Sequence, residues 1–156
     1  MKHPEKAAAH HDLVIRPFQP ADQPAAKALI LDGLTGHWGF LDPTLNPDLN
    51  HIAVSYAAGV FLTAWLGDRM VGTGAFLPEG YGIYRIVRMS VRAEFRRLGI
   101  GSMVLHDLVG RIKALEGHTI ILETTSTWCE VIQFYQRFGF TITGEQNGET
   151  TFSLAI

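Results

Sequence analysis

The stretch from Ile83 to Gly117 constrains this chain most, because its two ends demand different structures and a basic, glycine-bearing bend has to join them. Ile83–Val91 is apolar, β-branched and short, the pattern of a buried strand. Ile100, Val104, Leu108, Ile112 and Leu115 recur at threes and fours and line one face of a helix. Between them lies Arg96-Arg97-Leu98-Gly99-Ile100-Gly101-Ser102. A helix start presents backbone N–H groups without partners at the positive end of its dipole, so this bend is a place to hold phosphate. Gly99 and Gly101 lack a Cβ, which lets a bulky anion approach the backbone. Arg92, Arg96 and Arg97 bring charge to the same mouth. It is not a P-loop, since no Gly-Lys-Ser/Thr follows, and not the dinucleotide fingerprint, which follows a chain's first strand.

The rest of the chain arranges itself around this unit. Leu13–Phe18 reads as a first strand, stopped by Pro17 and Pro20. Asp22 or its neighbour opens a helix carrying Ala26, Leu29, Ile30 and Leu34 on one side. The prolines and glycines of 35–48 make an irregular loop, and Asp48 can cap a second helix over roughly 48–58. Val60–Leu66 and Met70–Leu77 read as a hairpin, and Pro78–Gly82 turns the chain into the strand at Ile83. Thr119–Thr125 is the next strand. Thr127 and Glu130 have the spacing of a capping box for a helix that ends at Gly139. Phe140–Gly144 and Thr150–Ala155 close the chain through Asn147-Gly148, a strong hairpin signal. The expected organisation is a flexible tail over 1–12 and one domain over 13–156.

Arg96-x-x-Gly99-x-Gly101 resembles the acetyl-CoA signature of the Gcn5-related N-acetyltransferase (GNAT) family, Arg/Gln-x-x-Gly-x-Gly/Ala. Phe134-Tyr135-Gln-Arg-Phe-Gly139-Phe140 resembles its second signature, Phe/Leu-Tyr-x-x-x-Gly-Phe. Order and spacing agree over Ile83–Phe140, with weaker similarity back to Val14-Ile15-Arg16-Pro17. The resemblance implies an α/β (α+β) fold with a mixed, mostly antiparallel central sheet and helices on both faces. It also implies direct transfer of acetyl from acetyl-CoA to a primary amine of a small molecule, a peptide or a protein terminus.

That reaction makes three demands. The amine must lose its proton, and such groups titrate near ~10.4 or, for an α-amino group, near ~8. The tetrahedral oxyanion needs a fixed donor. The thiolate leaves better when protonated. By resemblance Tyr135 lies against the CoA sulfur and is the candidate acid; otherwise it is a core tyrosine sharing a helix face with Val131 and Phe138. Glu123, twelve residues earlier, matches the Leu-Glu spacing of the branch that acetylates the N-terminal alanine of a ribosomal protein, and is the candidate base. Its alternative is a strand glutamate bonded to a neighbour. Many relatives place a base glutamate where this chain has Arg85, which cannot accept a proton near neutrality and is read instead as a site for an acidic substrate group. Trp128 stands where the family often has Asn.

By the same resemblance the backbone of Met89, Ser90 and Val91 binds the pantetheine arm, and the N–H of Met89 or Val91 serves the oxyanion. Backbone N–H groups from Arg97, Leu98, Gly99, Ile100 and Gly101 to Ser102 hold the diphosphate, with Arg96 in the signature and Arg92 or Arg97 either reaching the 3′-phosphate or left as solvated surface charge. His37, Trp38, Phe40 and Asp42 line the acceptor side, unless Trp38 and Phe40 simply plug the core, and Tyr81 and Tyr84 border the same cleft. Two other readings stay open: an acyl-CoA-binding module without catalysis, favoured by Arg85, and a transferase of a longer acyl group.

Composition narrows the partners. A net charge of −2 gives no field for nucleic acid or a membrane surface. The single cysteine, Cys129, suits a reducing compartment, so a cytoplasmic location is expected. Cys129 has no histidine partner in sequence and is read as packing. No metal is expected; His3, His10 and His11 sit on a solvated tail. The resemblance is compatible with a homodimer.

Overall fold

The computed structural model describes residues 12–39 and 44–156. A seven-stranded sheet, ordered β1-β2-β3-β4-β5-β7-β6, runs through these residues. Its strands are β1 (Leu13–Pro17), β2 (Val60–Leu66), β3 (Arg69–Gly80), β4 (Ile83–Val91), β5 (Thr119–Thr125), β6 (Thr141–Gln146) and β7 (Glu149–Ala155). Every neighbouring pair is antiparallel except β4–β5. Helices α1 (Gln23–Trp38) and α2 (Ile52–Ser55) cover one face, and α3 (Ile100–Ala114) and α4 (Cys129–Phe138) the other.

Strand alternation separates the two cores. Leu62, Phe76, Ile86, Ile120, Leu122 and Phe152 point toward α3 and α4, where Val104, Leu105, Leu108 and Ile112 meet them. Phe61, Met70 and Ala75 point the other way, toward Ala26, Leu29, Ile30, Leu49 and Ile52. Among the described residues, β5, β6 and β7 give nothing to this second core. The front of that half of the sheet is therefore not roofed by α1.

Several local expectations are corrected. Asp22 does open α1, from the N-cap position, but its side chain makes no capping bond. It is buried and turned back, accepting from Arg16 at 2.8 and 3.0 Å and from the Gln19 N–H at 2.9 Å. The helix expected over 48–58 is a 3₁₀ turn, Pro47–Asn50, followed by the single turn of α2. Gln23 ties the two, donating to the Leu49 carbonyl at 2.6 Å and accepting from the Ile52 N–H at 3.0 Å. The capping box at Thr127 is absent: α4 begins at Cys129, so Glu130 falls one position early and reaches Arg97 instead. The turn into β4 is confined to Tyr81-Gly82, both at positive φ, because β3 runs on to Gly80. Asn147-Gly148 does form the two-residue hairpin, again with both φ values positive. Of the expected flexible tail, 1–12, residues 1–11 lie outside the described residues.

Candidate active site

β4 and β5 pair at only three positions, Ile83–Thr119, Tyr84–Ile120 and Arg85–Ile121. Both strands continue past that point, to Val91 and Thr125. Beyond Arg85, β4 stays paired to β3 alone, and its other edge faces a widening gap. Backbone polar groups at such an edge need partners, and an extended ligand can supply them as an added strand does. Met89, Ser90 and Val91 lie on this edge. Their side chains are spoken for. Met89 and Val91 pack into the α3 core, and Ser90 Oγ lies against Gly33 of α1. The backbone is what they can offer.

β4 carries a bulge here. Val87 opposes Ala75 and Ser90 opposes Thr73, so Arg88 and Met89 share the single partner Gly74. A Cβ on Gly74 would lie 2.7 Å from both Met89 Sδ and Val104 Cγ1 and 3.0 Å from Leu108 Cδ1. Gly74→Ala is expected to destabilise the fold by about 1–3 kcal/mol through overpacking, because Val104 cannot yield on a packed helix. A fall in the urea midpoint would show it; an unchanged midpoint would mean that α3 sits less tightly than drawn.

The basic bend follows. Gly99 is the N-cap of α3 at φ +86°, and Arg97 also has a left-handed backbone, at φ +66°. The N–H of Met103 closes on Gly99 O at 3.1 Å. Those of Ile100, Gly101 and Ser102 precede it and have no acceptor within the helix. Leu98 packs against the core and anchors the bend. The arginines divide. Arg92 donates to Met70 O at 2.6 Å and Arg96 to Val91 O at 3.1 Å, so both brace the bend against the sheet. Arg97 reaches Glu130 at 3.1 Å across an exposed surface, a pair that adds little stability and that an incoming anion can displace. Beyond Ser102 a hollow of about 330 Å³ is lined by His106, Phe134, Arg137 and Phe138. His106 and Arg137 were not singled out in sequence; their signal was proximity to the two signatures.

Tyr135 and Glu123 lie on opposite faces of the sheet. Tyr135 is 6% exposed among Phe134, Phe140 and Phe152, with ring centroids 5.1–5.7 Å away. Burial alone pushes its phenol well above the ordinary value of 10.0, so it stays protonated and able to donate. Glu123 is next to Leu122 on β5 and so points to the other face. There Arg85 grips it and also donates to Glu79 at 2.6 Å. Desolvation would lower the Arg85 pKa, but the two carboxylates outweigh it and the net direction is up. Arg85 is thus already engaged, which counts against its reading as a free site for an acidic substrate group.

At the C-terminal ends of these strands, α1 meets the start of α4. The His37 ring lies 4.8 Å from Trp38 and 4.4 Å from Trp128, and its Nε2 is 3.4 Å from Thr127 Oγ1. Trp38 is 48% exposed and does not plug the core. Phe40 and Asp42 lie outside the described residues. Tyr84 does not border this cleft: it packs edge-on against Phe76 at 5.5 Å, on the α3 face. Tyr81 sits at the hairpin tip, 96% exposed. Cys129 is exposed, not packed. A further cluster went unforeseen. Asp48 accepts two bonds from Arg88, at 2.6 and 2.9 Å, and one from Tyr56 Oη at 2.6 Å. No group of three metal-ligating side chains occurs among the described residues, nor a helix long and apolar enough to cross a membrane.

The sequence model of the acetyltransferase (GNAT) family matches residues 25–140. The chain belongs to the GNAT acetyltransferase family. It follows that this GNAT domain works with acetyl-CoA in acyl transfer, and the strand gap and open helix start are features that fit such a cosubstrate. Solved structures agree in fold. A GNAT acetyltransferase from Staphylococcus aureus Mu50 superposes with TM-score 0.84 at 19% identity, covering 92% of this chain and 98% of its own. The PaiA N-acetyltransferase of Thermoplasma acidophilum, solved in complex with coenzyme A, gives 0.82 at 13% identity, covering 92% and 99%. A ribosomal-protein-alanine N-acetyltransferase from Brucella melitensis gives 0.72 at 17%, also covering 92% and 99%. No sequence among the curated proteins matches this GNAT chain.

Proposed function

We propose that this GNAT protein transfers acetyl from acetyl-CoA to a primary amine by direct attack in a ternary complex. The observation that supports the reading is the three-residue β4–β5 pairing, which leaves a gap past Arg85, with Glu123 on one face of the sheet and Tyr135 packed on the other face. An amine approaching from the front meets Glu123, and a thiol leaving toward the rear meets Tyr135. Acetyl-CoA supplies the activated acyl group. The backbone of Met89, Ser90 and Val91 would hold its arm, and one of these N–H groups would face the oxyanion. The N–H groups from Arg97 to Ser102 would hold the diphosphate, with Arg97 free to trade Glu130 for phosphate. The hollow past Ser102 would take the adenosine end. Glu123 would take the ammonium proton, and Tyr135 would return one to the thiolate.

Thiol release from acetyl-CoA against a panel of small amines, peptides and protein N-termini tests this. Acceptor-dependent release supports transfer. Binding without release for any acceptor, or release only with longer acyl-CoA, would favour the two alternatives. The grip of Arg85 on Glu123 is the feature that favours a binding module. Glu123→Gln is expected to lower turnover about 10²-fold. Unchanged turnover would assign the base to water or another side chain.

A further inference from the structure

We propose that Arg88 is a positioning residue: through Asp48 and Tyr56 it locks the segment bordering the acceptor side to the β4 bulge, and so aims the Met89 backbone at the acyl carbonyl. The inference deepens the transfer reading and rests on it for the identity of the carbonyl.

Arg88 is an unusual choice for its position. It has φ +56° inside a strand, a conformation that non-glycine residues rarely adopt. Such a backbone persists only where its surroundings over-determine it. Here they do so from two sides. Thr73 Oγ1 donates to the Arg88 carbonyl at 2.8 Å, which holds the main chain. Asp48 takes the guanidinium in a two-point grip at 2.6 and 2.9 Å, which holds the side chain. Asp48 is in turn fixed by Tyr56, whose hydroxyl donates at 2.6 Å.

The cluster is more than a surface pair. Arg88 and Asp48 are both partly buried. Desolvation opposes the Asp48 charge, but the bonds from Arg88 and Tyr56 prevail and its pKa falls below the ordinary value. Burial and the Asp48 bond push Tyr56 up to about 12. The three groups therefore keep one protonation pattern across neutral pH. Two-point arginine–carboxylate bonds also fix direction as well as distance. Asp48 lies in the turn Pro47–Asn50, where the loop expected to meet the acceptor ends, and Tyr56 closes α2 just after it. Arg88 is the first residue of the bulge, and the bulge sets which of the following N–H groups face the gap rather than β3. One ion pair thus ties the acceptor side to the backbone donors.

Isotope-edited infrared spectra of bound [1-¹³C]acetyl-CoA, with calorimetric binding of the same ligand, test the proposal. Aimed donors lower the thioester C=O stretch. The native protein is expected to show that lowering, and Asp48→Asn and Arg88→Gln are expected to lose at least half of it while affinity changes less than threefold. The reversed pair Asp48→Arg/Arg88→Asp should recover part of it, since Asp tolerates a left-handed backbone. A full lowering retained in Asp48→Asn, or a loss matched by an equal loss of affinity, overturns the proposal. If Asp48→Asn does not fold, Tyr56→Phe decides: a partial loss supports the proposal and an unchanged frequency overturns it. A native protein that fails to bind acetyl-CoA removes the transfer reading itself. One that binds without any lowering removes only this inference.

Discussion

Tyr135→Phe is expected to lower turnover about 10³-fold and to leave the affinity for CoA within threefold. General acid catalysis contributes roughly 10²–10⁴-fold, and the variant removes one hydroxyl from a ring that is otherwise held by Phe134, Phe140 and Phe152. The core has no reason to change shape. The burial that raises the phenol pKa also fixes a sign. With the folded value above the unfolded one, its contribution to stability is intact below pH 10 and is lost as pH rises beyond it. Activity near neutrality should therefore show no limb from this group. Steady-state kinetics with calorimetry on the variant check both parts, and an equally active variant would return Tyr135 to a purely packing role.

Gly99→Asp should weaken CoA binding by about 10³-fold. At an effective dielectric of 20, two like charges about 4 Å apart repel by ~4 kcal/mol, which is close to three decades in affinity. The substitution also forces a side chain onto a backbone at φ +86°. Gly99→Asn separates the two causes, because Asn tolerates the left-handed region and carries no charge. The expected order is glycine tightest, asparagine intermediate and aspartate weakest. Equal affinity for glycine and aspartate would place the diphosphate elsewhere.

Much of this architecture was legible because local signals agreed with the tertiary result. β2 and β5 coincide with their apolar runs, Val60–Leu66 and Thr119–Thr125. Asn147-Gly148 turns as its composition demands. What escaped was decided by long-range partners. Asp48 looked like a helix cap, but Arg88, forty residues away, outcompetes a local N–H for its carboxylate. Glu130 had capping-box spacing, yet α4 starts one residue late and Arg97 claims it. Tyr84 and Arg85 are adjacent, and strand alternation sends them to opposite faces. The divergence of β4 from β5 leaves no mark on either strand's composition. Only the family resemblance pointed to it.

That divergence has a mechanical corollary. Among the described residues the strand pairing between β1-β2-β3-β4 and β5-β7-β6 is three residue pairs, extended by Gly82 O accepting from the His118 and Thr119 N–H groups at one end and by the Arg85–Glu123 bond at the other. The remaining cohesion is side-chain packing beneath it, against α3 and α4. A ligand lying along the open part would act as mortar between two slabs, stitching main chain to main chain where the protein does not. Occupancy should then do more than add its mass-action share to the melting temperature. It should make two halves that can loosen separately come apart as one.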